Sequence, residues 1–156
     1  MSKLKTETLE AKIVLLETYL LQKESINLKI SKVNVGWHID HSLKVINAVI
    51  STMQKSNPDE YEDNFKLLGK LLFALQIFPR GKAKAPKHVK PPEIILNEDL
   101  IHQLALAKKQ LQQIELLDKN AFFKHPLFGN VNKQRVLTFL NIHTTHHLKI
   151  IKHILV

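Results

Sequence analysis

Residues 137–156 read LTFLNIHTTHHLKIIKHILV, and the spacing of their side chains decides how the chain folds. Val136, Leu140, Ile150 or Ile151, and Ile154 return at the intervals of one face of an α-helix. His143 and His147 fall on that same face, four residues and about 6 Å apart along the axis. Both therefore occupy core-facing positions. A lone buried histidine is commonly satisfied by a local hydrogen bond. Two of them, facing inward at i and i+4, need a stronger shared partner, and a metal ion is the commonest.

Working outward, four more helices are expected. The first spans about Thr6 to Lys23, with Leu9, Ile13, Leu16 and Leu20 on its stripe, followed by a polar connection from Glu24 to Lys32. The second runs from about Val35 to Lys55, with Asn34 as N-cap. It carries two stripes, Trp37–His41–Val45 and Ile39–Leu43–Ile46–Ile50, and so wide an apolar arc belongs at the centre of a bundle. Gly36 at its start suggests a close approach or a special backbone angle. Asn57-Pro58-Asp59-Glu60 is a helix-start signal, and the spacing of Tyr61, Phe65, Leu68, Leu72 and Leu75 predicts a third helix ending near Phe78. A long loop rich in proline and basic residues follows, from Pro79 to Leu96. The fourth helix runs from Asn97 to about Leu117. An apolar loop from Asp118 to Asn132, containing His125-Pro126-Leu127-Phe128-Gly129, precedes the last helix, which Asn132 caps. No paired strands are evident. The expectation is one all-α domain over residues 1–156, a helical bundle with long connecting loops.

A third ligand for His143 and His147 should come from another helix, and His41 is the best candidate. Its alternative role is a core histidine bonded to a backbone carbonyl. Three neutral imidazoles would leave coordination positions open, as in catalytic metal sites. Histidine ligands suit zinc, nickel, iron and copper. His146 lies on a neighbouring face and is a candidate proton carrier; so is His125, which serves equally well as a turn-stabilising residue. His38 is read as facing outward, and His88, His102 and His153 as surface residues.

Composition sets further bounds. The chain of 156 residues has no cysteine, hence no disulfide framework and no thiolate nucleophile or ligand. There is no HExxH, no Glu-x-x-His pair and no glycine-rich phosphate loop. The formal charge of +9 favours anionic partners in general. Only Arg80 and Arg135 are arginines, however, so the positive surface is lysine, and nucleic acid is not the expected partner. With neither an apolar leader nor a long apolar run, a cytoplasmic protein without membrane contact is expected.

Trp37-His38-Ile39-Asp40-His41, followed by His143-x-x-x-His147, resembles the Trp-x-x-x-His and terminal-helix signatures of the DinB-like (YfiT-type) metalloenzyme superfamily. His125-Pro126-Leu127-Phe128-Gly129 ahead of His143-Thr144-Thr145-His146-His147-Leu148 is similar to one uncharacterised subfamily. The resemblance covers about Val33 to Ile150. It implies an up-down-down-up four-helix core, with an additional helix here, and a divalent metal ion, zinc or nickel before iron, held by His41, His143 and His147. Relatives include thiol-dependent S-transferases and isomerases. The Arg-Gln that the subfamily carries after His-His-Leu is Lys149-Ile150 in this chain.

Two functions follow as expectations. The first is a metal-dependent hydrolase or thiol-dependent transferase acting on a small molecule. The basic loop from Arg80 to Lys90 would draw an anionic substrate, and a catalytic thiol would come from a low-molecular-weight cosubstrate. The second is a non-catalytic bundle with structural histidines, serving as a binding or interaction module. The resemblance also implies a homodimer, and if neighbouring helices leave the Ile39–Leu43–Ile46–Ile50 stripe of the second helix uncovered, a two-fold partner would bury it.

Overall fold

The computed structural model describes residues 2–81 and 86–156. It is mainly helical: α1 (Ser2–Thr18), α2 (Val35–Lys55), α3 (Leu67–Leu75), α4 (Asn97–Gln113) and α5 (Lys133–Ile154), with a two-stranded hairpin, β1 (Phe122–His125) and β2 (Gly129–Asn132), just before α5. α4 and α5 each pack against both α1 and α2. Leu9, Ile13 and Leu16 of α1, Ile39, Leu43, Ile46 and Ile50 of α2, and Leu140 and Ile151 of α5 are fully buried where these helices meet. No described helix is long and apolar enough to cross a membrane.

α2 begins where its sequence says it should. The Asn34 side chain accepts a hydrogen bond from the Trp37 N–H at 2.9 Å, satisfying one of the amides that a helix start leaves free. Gly36 allows a close approach: its N–H donates to the Lys23 carbonyl at 2.7 Å, and an added Cβ would lie 3.1 Å from that oxygen. This contact folds the connection back over the start of α2. The expected central position holds, because nearly every residue from Val35 to Ile50 is buried.

The third helix is much shorter than its spacing predicts. After the Asn57 cap, Pro58–Glu60 forms one 3-10 turn. Residues 61–66 are not helical, and α3 begins only at Leu67. The hairpin takes the backbone partners that a helix would have used. The Lys66 N–H donates to the Phe128 carbonyl at 2.8 Å, and the Asn130 side chain donates to the Glu62 carbonyl at 2.9 Å. The Asn130 N–H donates to Asn64 Oδ1 at 2.7 Å. Tertiary hydrogen bonds here override a helical period.

The hairpin itself corrects the all-α expectation. Phe122 pairs with Asn132 and His125 with Gly129, antiparallel, across what reads in sequence as a loop. Its turn depends on Gly129 at φ +78°, where a Cβ would also collide with the Asn64 backbone carbonyl. Of the two alternatives for the second stripe of α2, the structure shows the covered one. Ile39, Leu43, Ile46 and Ile50 are covered within the chain, so no apolar strip of α2 is left to a partner. α3 exposes four apolar side chains close together, Leu67, Leu68, Leu71 and Leu75, whereas α1 and α4 expose Leu4, Val14 and Ile101 singly.

Candidate metal centre

α2 and α5 bring three imidazoles together. His41, His143 and His147 each offer one ring nitrogen, and these nitrogens all lie within 4.8 Å of one another. Bonds of about 2.1 Å to one tetrahedral ion would set ligand nitrogens about 3.4 Å apart. The His143 and His147 ring centroids are 4.7 Å apart, as the helical repeat requires, and His41 stands 5.1 and 4.9 Å from them. Trp37 backs the cluster, stacking on His41 at 5.0 Å and 27°. Phe139 stacks on His143 at 6.0 Å, and Phe78 meets the same ring edge-on at 6.5 Å. The surroundings are therefore aromatic and largely dry.

Two of the three rings, His41 and His147, are oriented by hydrogen bonds at Nδ1. His41 Nδ1 is 2.8 Å from the Val89 carbonyl, a pure acceptor, so Nδ1 carries the proton and Nε2 keeps its lone pair. Val89 is buried in a 3-10 turn, Lys87–Val89, which the proline-rich loop lays against α2. Thus His41 is bonded to a backbone carbonyl through one nitrogen and also faces the other two rings. His143 Nδ1 is buried and has no hydrogen-bond partner. Leaving such a group unpaired costs about 1–3 kcal/mol, and bonding to a metal ion would satisfy it. The donor set thus fits a borderline divalent ion.

Electrostatics favour the neutral, ligand-ready form. Burial pushes His143 and His147 well below the ordinary histidine range, and neighbouring histidines push them in the same direction. His41 is lowered by burial too, although its bond to Val89 and the buried Asp40 carboxylate oppose the shift. Asp40 is itself held by an ion pair with Lys44 at 2.7 Å and by the Gln103 amide at 2.8 Å, which ties α2 to α4.

The other histidines separate clearly. His38 does not face outward. It is buried, with Nδ1 2.9 Å from His147 Nδ1 and Nε2 3.0 Å from Ser31 Oγ. Outward placement assumed that a polar residue takes the solvated side, but α2 scarcely has one. The signal was the scarcity of charge around it: Asp40 and Lys44 are the only charged residues between Asn34 and Gln54. His146 is partly exposed, donates to the Phe78 carbonyl and lies 5.0 Å from the His147 ring. His125 is set apart from the three converging rings by Phe139, whose ring it meets at 5.3 Å. It stacks on Phe128 at 4.1 Å and accepts from the Leu127 N–H at 3.2 Å, the geometry of a turn-stabilising residue. His88, His102 and His153 are exposed, as expected, and His153 accepts from Arg80 at 3.0 Å. Of the basic loop Arg80–Lys90, residues 82–85 lie outside the described residues. Val89 and Ser31 carried no sequence signal, because a carbonyl and a hydroxyl find their partners only through the fold.

No family model, no curated protein and no solved structure matches this chain.

Proposed function

We propose that this protein is a divalent-metal enzyme of the DinB-like kind, with His41, His143 and His147 as ligands. The observation that carries the reading is the convergence of three buried-facing imidazoles from two helices within 4.8 Å. The orphaned His143 Nδ1 supports it. Zinc and nickel suit such a set, with iron next. An ion held by three neutral histidines supplies Lewis acidity at its remaining positions. The chain's own contribution is to orient the rings through Val89 and His38, to exclude water with Trp37, Phe78 and Phe139, and to keep His146 at the edge as a proton carrier. His125 contributes by shaping the hairpin turn against Phe139. The substrate class is a small molecule, anionic or used with a low-molecular-weight thiol, in hydrolysis or S-transfer. An up-down-down-up order of α1, α2, α4 and α5 accords with the way α4 and α5 each pack on α1 and α2, and with the long connection between α2 and α4.

The reading is tested by equilibrating metal-free protein with Zn²⁺, Ni²⁺ or Fe²⁺. One ion per chain is expected, lost in His41→Ala, His143→Ala and His147→Ala; no binding by the unaltered chain overturns it. A second reading, a non-catalytic bundle with structural histidines, draws on the hydrogen bonds that already engage His41 and His147. Turnover of thioether or ester substrates by the loaded protein, with and without added thiol, separates the two.

A further inference from the structure

We infer that Ser31 and His38 form a hydrogen-bonded chain that readies His147 as a ligand, fixing its proton on Nδ1 and leaving Nε2 bare. His38 is in this role a positioning residue. The inference rests on the metal-site reading above but has a consequence in the metal-free protein as well.

The argument is one of donors and acceptors. His38 Nδ1 and His147 Nδ1 are 2.9 Å apart, so one donates and the other accepts. In the first arrangement His147 Nδ1–H donates. His38 then carries its own proton on Nε2, which donates to Ser31 Oγ at 3.0 Å. Ser31 Oγ also accepts from the Val33 N–H at 3.2 Å. Both hydroxyl lone pairs are used, and the hydroxyl proton is left to solvent at a half-buried residue. Both imidazole donors of the chain have an acceptor, and His147 presents a lone pair at Nε2. In the second arrangement the protons run the other way, and His147 carries N–H at Nε2. The bond to His38 is the only side-chain hydrogen bond of His147 among the described residues, so that N–H would point into the cluster without an acceptor. A ring N–H is fixed in direction and would be held against the other imidazoles, whereas the hydroxyl proton of half-buried Ser31 rotates freely about its C–O bond to meet solvent. The geometry therefore selects the first arrangement.

The chain is held from both sides. Trp37 meets the His38 ring edge-on at 5.4 Å and 77°. Ser31 is set by its N–H, which donates to the Asn27 carbonyl at 2.9 Å, within the connection that the Gly36–Lys23 contact folds back over α2. His41 and His147 are thus prepared alike, each with Nδ1 engaged and Nε2 free: His41 by a carbonyl, His147 by a histidine.

Two measurements test this. In metal-free protein labelled with ¹⁵N, long-range proton–nitrogen correlation should show His147 as the Nδ1–H tautomer. Finding Nε2–H overturns the inference, whether or not the protein binds a metal. Zn²⁺ affinity is then measured by chelator competition for the unaltered chain, His38→Phe and His38→Asn. The phenylalanine keeps the ring and removes the acceptor, and should weaken binding about 10–100-fold. The asparagine places an oxygen near the lost Nδ1 and should restore binding to within a few fold. Affinity unchanged in His38→Phe, or equally weakened in both variants, reduces His38 to packing and overturns its role. Failure of the unaltered chain to bind Zn²⁺ removes the metal-site reading instead, and the tautomer measurement still decides the chain. It decides it equally where His38→Phe does not fold.

Discussion

At the scale of the residue, the histidines are expected to respond differently to metal and to acid. His143 Nδ1 is buried without a partner. Replacing His143 with leucine should therefore leave the metal-free protein at least as stable, with a gain of about 1 kcal/mol from removing an unpaired polar atom. The same substitution should abolish stabilisation by Zn²⁺. In the unaltered chain, Zn²⁺ at a hundred times its dissociation constant should add about 2.7 kcal/mol, roughly 5–10 °C in Tm for a chain of this size. Thermal melts of both proteins with and without Zn²⁺ check the pair; a metal-dependent shift that survives in His143→Leu would remove His143 from the ligands. Acid acts through the neutral imidazoles. Burial pushes His125 down to about 4, and burial together with neighbouring positive charge does the same for His38. Their folded pKa values lie below the unfolded value near 6.5, so below pH 6.5 the unfolded state binds more protons. Stability should be full above that pH and should fall progressively between about 6.5 and 4. Urea unfolding of metal-free protein at pH 7.5, 5.5 and 4.5 measures this, and a flat profile would contradict it.

At the scale of the element, the hairpin is the piece whose failure should spread furthest. It holds residues 61–66 through Asn64 and Asn130, and it leads directly into α5, which carries two of the three candidate ligands. Gly129→Ala combines a positive φ with a Cβ placed on the Asn64 carbonyl. It should cost about 2 kcal/mol or more. Denaturant midpoints at constant m-value would record the loss; a change below about 0.5 kcal/mol would mean that the turn relaxes freely. Within α2, by contrast, the start is over-determined, by the Asn34 cap and by the Gly36–Lys23 contact together.

At the scale of the whole molecule, the position of the apolar surface decides what substitutions do. Ile46 of α2 is fully buried. Ile46→Glu therefore places an unpaired charge in the core and should cost roughly 4 kcal/mol or more, lowering helicity and cooperativity together. Leu71 on α3 is 55% exposed, and Leu71→Glu should leave the fold intact. Any self-association of the chain should then be weakened by the second substitution with helicity retained. Light scattering and circular dichroism on the two variants test the contrast; a folded, monomeric Ile46→Glu would reverse it.

The sequence by itself determined that α1, α2, α4 and α5 are helical, and with them the pairing of His143 and His147. That pairing needs only the helical repeat, which is local. It also pointed to His41, because a histidine within so wide an apolar arc has little solvent to face. What only the tertiary structure decided depends on partners distant in the chain. The hairpin has two strands of four residues, and Phe122 and Phe123 are both buried, so no alternation announces it. The helical period of residues 61–66 is genuine but is outcompeted by hydrogen bonds from the hairpin. His38 turns inward because α5 brings His147 to it, and His41 is oriented by a carbonyl 48 residues away. A side chain's repeat is fixed by its own helix, but its hydrogen-bond partner is fixed by whichever segment packs across from it.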